Sequence, residues 1–245
     1  MLRKTMQVLE LFAAERRELG VIEVAGELGR PKSTVSRWLA AMERADFLER
    51  DSESGRYRVS LRLAALGEVA RQTTSLQRSA RPYLASLAKQ TGETANLTLL
   101  VGTEAVNVEA ADSPRPVMHV GWIGRRMPLH ATASGKVLLA YADEAVVTTV
   151  LAGRLKRLTP KTITSGRALR AELARVRTRG YATVWAELEP DLAAVAAPVR
   201  NHRDEIIAAL AIAGPVSRCE RQQLGGLAKH VVEAAEGLSR KMGFR

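Results

Sequence analysis

The sequence predicts an α+β chain of two domains, a small winged helix-turn-helix followed by a larger domain that mixes helices with an antiparallel sheet. Three observations lead there. Residues 4–44 hold two runs with apolar side chains three and four apart, separated by a glycine-containing turn. A basic-tipped hairpin follows at once, and beyond residue 75 period-two segments alternate with period-3.6 segments. Length agrees, since 245 residues suffice for two modest cores.

The elements follow in order. Met6, Leu9 and Val8, then Leu11 and Phe12, share one helical face within residues 4–14. Ile22–Leu28 is a short segment closed by the turn Gly29-Arg30-Pro31. Lys32–Arg44 sets Val35, Leu39 and Met42 on one face and gathers Ser33, Thr34, Ser36 and Arg37 toward its N-terminal end. Phe47–Arg50 and Arg56–Ser60 flank Asp51-Ser52-Glu53-Ser54-Gly55, a hairpin signal. Helical spacing returns from Leu61 to about Thr74, and polar Thr73-Thr74-Ser75 marks the joint. The expected division is 1–61 for the winged helix-turn-helix, 62–76 for a linker helix and 77–245 for the second domain.

In that domain Leu76–Gln90 reads as a helix, with Pro82 near its start or kinking it. Thr94–Val101 and Ala105–Ala111 read as paired strands around Gly102-Thr103-Glu104, with Val117–Val120 as a further strand. Ala131–Tyr141, Asp143–Leu151 and the basic Arg167–Arg179 read as helices. Tyr181–Trp185, Ala194–Val199 and Ile206–Ile212 read as strands, and a last helix covers roughly Arg221–Lys241.

Charge narrows the partners. Thirty-seven Lys+Arg against 26 Asp+Glu give +11, which favours a polyanion over an anionic membrane surface. Aromatic residues make up only 4%, too few for a base-stacking RNA platform. No run approaches the roughly 18 apolar residues of a membrane span. Arg3 and Lys4 before Met6–Ala14 imitate a signal peptide, but Gln7 and Glu10 interrupt it and Arg16-Arg17 stand where the cleavage site belongs. Cys219 is the single cysteine, which excludes an intrachain disulfide and a thiolate metal cage and suits a reducing cytoplasm. His119, His130, His202 and His230 lack ligand spacing, so neither a metal nor a cofactor is expected.

An enzyme is disfavoured as well. Ser134-Gly135-Lys136 imitates the end of a phosphate-binding loop, but His130 stands where its first glycine belongs and Val137 where Ser or Thr should follow. No Gly-x-Ser-x-Gly elbow occurs, so no catalytic residue is assigned. The helix from Lys32 offers different chemistry. Arg37 can fork onto guanine or phosphate, and Ser33, Thr34 and Ser36 can donate to phosphate oxygens, next to the positive end of the helix dipole. Arg30, Lys32, Arg56 and Arg58 are the candidate backbone contacts, and no acid falls between Leu28 and Met42. Trp38, three residues after Val35, reads as a packing residue rather than a stacking one.

These residues carry a resemblance. Gly29–Leu39, the hairpin Phe47–Ser60 and Glu18-Leu19-Gly20-Val21 resemble the DNA-binding domain of the IclR family of bacterial transcriptional regulators. The likeness continues in order through Ala80–Leu84, Thr91–Thr94, Pro128–Lys136, Leu158-Thr159-Pro160 with Thr162-Ile163-Thr164, Arg179–Ala182, Ala196–Val199 and Ala213-Gly214-Pro215. It implies a GAF-like α/β/α effector-binding domain, double-stranded DNA with a near-palindromic operator as partner, and homodimers or homotetramers.

The resemblance also implies an effector pocket at His119, His130, Ala133, Ser134, Gly135, Val184, Leu192, Ala194, Ala211 and Ala213. Family members that hold small organic acids carry polar anchors where this chain has Val184, Ala193-Ala194, Ala211 and Ala213. A small hydrated carboxylate would leave oxygens unpartnered there, at roughly 1–3 kcal/mol each, so the expected effector is aromatic or otherwise apolar. Two alternatives stay open: a pocket filled by its own side chains, or an architectural DNA binder with a vestigial sensor domain. Trp122 and Trp185 are candidates for pocket lining or for ordinary packing. Residues 1–62 carry twelve Lys+Arg and ten Asp+Glu, whereas Leu151–Gly180 sets nine Lys+Arg against Glu172 alone. That run is either a solvated helix face or a surface for flanking DNA or an acidic partner.

Overall fold

A computed structural model describes residues 2–13, 18–66, 75–115 and 123–244, and the chain divides into two compact units, Met1–Thr74 and Ser75–Arg245. The expected strand Val117–Val120, His119 and Trp122 lie outside the described residues, as do residues 67–74 of the expected linker helix.

In the first unit α1 (Leu2–Ala13), α2 (Val21–Leu28) and α3 (Lys32–Arg44) precede a hairpin of β1 (Leu48–Arg50) and β2 (Tyr57–Val59). The run Ile22–Leu28 is a helix because its N-terminus is capped, the Gly20 N–H donating to Glu23 Oε2 at 2.7 Å. It ends where Gly29 turns left-handed at φ 59°, a conformation that favours glycine. Val8, Phe12, Leu19, Val24, Val35, Leu39, Leu48 and Tyr57 form the core, so the α3 face read from spacing is the one buried, whereas in α1 Val8 and Phe12 are buried and Met6 is exposed. Leu19 also pairs with Tyr57 through two backbone hydrogen bonds of 2.9 Å, which docks the hairpin on the segment before α2. Trp38 packs against this core, with the Lys4 ammonium 5.1 Å from its ring centre. Residues 61–66 are helical and are labelled α4.

The second unit is an α/β/α layering on a six-stranded antiparallel sheet. Its strands are β3 (Thr94–Val101), β4 (Glu104–Ala111), β5 (Arg126–Pro128), β6 (Ala182–Trp185), β7 (Leu192–Arg200) and β8 (Ile206–Pro215), in the order β5-β4-β3-β8-β7-β6. The helices α5 (Ser75–Thr91) and α9 (Leu224–Lys241) cover one face, while α6 (Ala133–Ala140) and α8 (Gly166–Arg179) belong to the core on the other; α7 (Glu144–Ala152) adds Val147 to that second core. Pro82 lies inside α5, on its exposed side. The short β5 went unread because three residues carry no measurable alternation.

Strand parity sorts the two faces. Leu97, Val195, Val199, Leu210 and Ile212 point toward α5 and α9, whereas the opposite parity of β7 and β8 offers mainly alanine: Ala194, Ala196, Ala209 and Ala211. Those small side chains admit α6, which is buried along its whole length. Beside the first face, buried Glu93 accepts two bonds of 2.7 Å from Arg218 and one of 3.1 Å from Arg115. Cys219, next to Arg218, is 3% exposed; burial, reinforced by the Glu93 carboxylate, pushes its thiol up to about 11. The native thiol is therefore expected to react with an aromatic disulfide reagent at pH 8 far more slowly than in denaturant. Equal rates in both conditions would contradict its burial.

Candidate nucleic-acid interface and effector cavity

The exposed face of α3 lies opposite Val35, Leu39 and Met42, which are 0–6% exposed. On it stand Ser33, Ser36 and Arg37, with Lys32, Arg30 and half-buried Thr34 at the N-terminal end. Helix starts leave N–H groups without intrahelical acceptors. Here the cap residue is Pro31, which provides no side-chain cap, and the first turn holds no acid. The donors, the positive end of the helix and the cationic side chains thus share one surface.

The wing arginines are both paired with carboxylates. Arg56 donates to both oxygens of Glu23, at 2.7 and 2.9 Å, and to the Glu18 carbonyl at 3.0 Å. It fastens the hairpin to the N-terminus of α2, so a phosphate at Arg56 would have to share it with Glu23. Arg58 is exposed but paired with Glu49 at 3.2 Å, so a phosphate would have to compete with that carboxylate. Exposed Arg50 stands on β1 of the same hairpin and was not among the expected contacts.

In the second unit Ala133, Ser134, Val184, Leu192, Ala194, Ala211 and Ala213 line one small cavity of about 40 Å³, so the structure brings together most of the expected effector residues. His130 and Gly135 are not part of that lining. The His130 ring is buried, with Nε2 3.0 Å from the Lys156 carbonyl, and it pins the following loop to the entry of α6. At Gly135 a Cβ would stand 2.5 Å from the Leu129 carbonyl oxygen and 2.5 Å from Thr132 Oγ1, so this glycine exists for close approach. His119 lies outside the described residues.

The cavity also has polar walls that the sequence reading missed, Asn96 on β3 and Asn107 on β4, together with Thr132. Thr98 donates to Asn107 Oδ1 at 2.8 Å, while buried Asn96 Oδ1 has no hydrogen-bond partner among the described residues. The signal was present in Thr94-Ala95-Asn96-Leu97-Thr98, where every second residue of a buried strand is polar. Leu188 and Leu192 complete the apolar part of the lining.

Behind α6, Lys136 is 1% exposed and bonds to both oxygens of Glu187, at 2.6 and 2.7 Å. Burial pulls the Lys136 ammonium below the usual lysine range against the pull of Glu187, and burial raises Glu187 against the pull of Lys136. Thr159 Oγ1 donates to the Ala186 carbonyl and Thr162 Oγ1 to the Glu187 carbonyl, at 2.6 and 2.7 Å. These bonds hold the turn that presents Leu188. Among the described residues no group of three or more His, Cys, Asp and Glu is arranged to hold a metal, and no helix is long and apolar enough to cross a membrane.

An acid-free helix start with arginine and hydroxyls facing outward belongs to a helix-turn-helix DNA-binding transcriptional regulator, and comparison with known proteins agrees. The family model described as "IclR helix-turn-helix domain" matches residues 1–52, and that described as "Bacterial transcriptional regulator IclR C-terminal" matches residues 69–240. The chain belongs to the IclR family of bacterial transcriptional regulators. It is 33% identical over 242 residues to the HTH-type transcriptional regulator XynR of Escherichia coli, covering 98% of this chain and 96% of the relative. It is 36% identical over 243 residues to KdgR of the same organism, covering 97% and 92%. Among solved structures, an IclR transcriptional regulator from Alicyclobacillus acidocaldarius superposes with a TM-score of 0.88 at 30% identity, covering 99% and 98% of the two chains. An IclR homologue from Microbacterium hydrocarbonoxydans, crystallised with 4-hydroxybenzoate, superposes with a TM-score of 0.82 at 27% identity, covering 98% of each chain.

Gly135→Ala is expected to destabilise the protein by about 1–3 kcal/mol, because the clash is with backbone and a cap hydroxyl rather than with a movable side chain. A thermal melt superimposable on that of the parent would show that α6 has room to shift.

Proposed function

We propose that the protein binds a near-palindromic operator as a homodimer or higher oligomer and that an aromatic or otherwise apolar metabolite modulates that binding. The α3 face carries the first half of this reading, because phosphate and base readers are grouped there without an acid among them. Arg37, with Ser33, Thr34 and Ser36 beside it, reads sequence; Lys32 and Arg30 contact the backbone, with Arg58 as a further contact once released from Glu49. Catalysis has no part in this reading, and lone buried Cys219 favours a reducing cytoplasm.

The small cavity supports the second half. Its 40 Å³ is far below the roughly 300–1,000 Å³ of ligand pockets, so a ring enters only as the Leu188–Leu192 side gives way. Ala194, Ala211 and Ala213 provide an apolar seat, and Asn96 and Asn107 can meet a hydroxyl or carboxylate at one end. The 4-hydroxybenzoate held by the Microbacterium homologue has a ring suited to such a seat and a polar group suited to the asparagines.

In a gel-shift series on the promoter beside its own gene, Arg37→Ala is expected to weaken specific binding by more than about 1 kcal/mol while sparing non-specific binding. An unchanged ratio of specific to non-specific binding would remove Arg37 as a base reader. In thermal-shift screening, 4-hydroxybenzoate and related aromatic acids are expected to stabilise the chain. Stabilisation by a pyruvate-sized acid alone would overturn the effector class.

A further inference from the structure

A larger cavity in the second unit is not the one that the effector reading uses. About 510 Å³ lies open at the edge of the sheet, against the outward parity of β6, where Tyr181, Thr183 and Trp185 alternate with buried Ala182 and Val184. In sheet order β6 is the last strand and pairs with β7 alone, so its outer side meets side chains of α8 and α9 instead of another strand. Five cationic side chains and two carboxylates line this space, a surplus of three positive charges.

Their arrangement separates neutralised from available charge. Lys136 and Glu187 cancel at 2.6 Å. Glu172 is clamped between Arg175 at 2.7 Å and Arg179 at 2.8 Å, and Arg179 lies over the Tyr181 ring at 5.0 Å. One carboxylate thus orients two guanidinium groups, each with five N–H donors, and leaves most of those donors for another acceptor. Lys161 and Arg221 approach from separate loops and have no ion-pair partner among the described residues. The first turn of α9, an 18-residue helix whose Gln223 makes no side-chain cap, also lines the cavity with Leu224 and Gly225 and adds a positive helix end.

We propose that this sheet-edge cavity is a second ligand site, for a small polyvalent anion: a di- or tricarboxylate or a phosphorylated metabolite. Its volume suits such a molecule, and its forked donors suit planar or tetrahedral oxyanions. None of its lining residues lines the smaller cavity, but the two share a wall. Ser134 and Leu188 face the small cavity from the same segments whose Lys136 and Glu187 face the large one. An anion drawing on Lys136 would loosen the pair that sets the Leu188 turn.

Calorimetry on the full chain tests the site, with citrate and inorganic pyrophosphate titrated separately at constant ionic strength. Saturable binding of one anion per chain is expected, weakened about tenfold or more by the double substitution Lys161→Ala with Arg221→Ala. It should be retained when Arg203→Ala with Lys229→Ala removes the same charge from exposed positions outside the lining. Citrate alone would assign carboxylates, pyrophosphate alone phosphoryl groups, and both the shared oxyanion chemistry. The proposal is overturned if neither probe binds saturably, if the first double variant binds as tightly as the parent, or if the control pair loses as much.

Discussion

Lys136 projects from a helix with no solvent-facing side and is itself almost inaccessible, so its charge has to be met inside the protein. Removing an ammonium from water costs on the order of several kcal/mol, and only a carboxylate with good geometry offsets it. Glu187 provides that geometry through two bonds, and its own position depends on Thr159 and Thr162 holding the backbone of residues 186–187. Ala186 sits there at φ 57°, a left-handed conformation that a non-glycine residue adopts at a cost of roughly 1–2 kcal/mol. One ion pair therefore sets the level of α6, the shape of the turn and the placement of Leu188 in the small cavity. Such a pair adds little net stability compared with an apolar substitute, but it tolerates few geometries, and that intolerance orders the neighbourhood.

The first unit solves a related problem with a half-exposed carboxylate. Glu23 accepts from the Gly20 N–H and from Arg56, so one side chain caps α2 and holds the hairpin. Solvent weakens this pair, with 36–39% of the side chains exposed, but its placement matters more than its strength. With the hairpin joined to α2 on one side and packed on the buried face of α3 on the other, the N-terminal face of α3 stays exposed.

Periodicity made most of the fold legible. The α3 face and the hairpin stand where apolar spacing and the Asp51–Gly55 turn put them, and Thr94–Val101 matches its strand residue for residue. The misses share a cause, since each depends on contacts between residues far apart in the chain. The Arg56 pairing was hidden because its partner Glu23 lies 33 residues away. The His130 contact was hidden because its partner is a backbone carbonyl, which leaves no trace in composition. Asn96 and Asn107 were hidden behind the expectation that polar anchors would come from β6, β7 and β8. The excess charge of residues 151–180 read as a uniform basic stretch, but folding sorts it: Lys161, Arg175 and Arg179 turn to the sheet-edge cavity, while Arg170 pairs with Glu144 on the surface.

Strand parity in β7 and β8 has an evolutionary consequence. The side chains that hold α5 and α9 alternate along the same strands with the alanines that wall the small cavity, so the two sets are linked in sequence but separated in space. A single step from alanine to serine, threonine or valine at Ala194, Ala211 or Ala213 would alter the chemistry met by a ligand without removing a contact from the opposite core. Ligand preference can therefore diverge between lineages by one-residue drift while the scaffold that reports it stays the same.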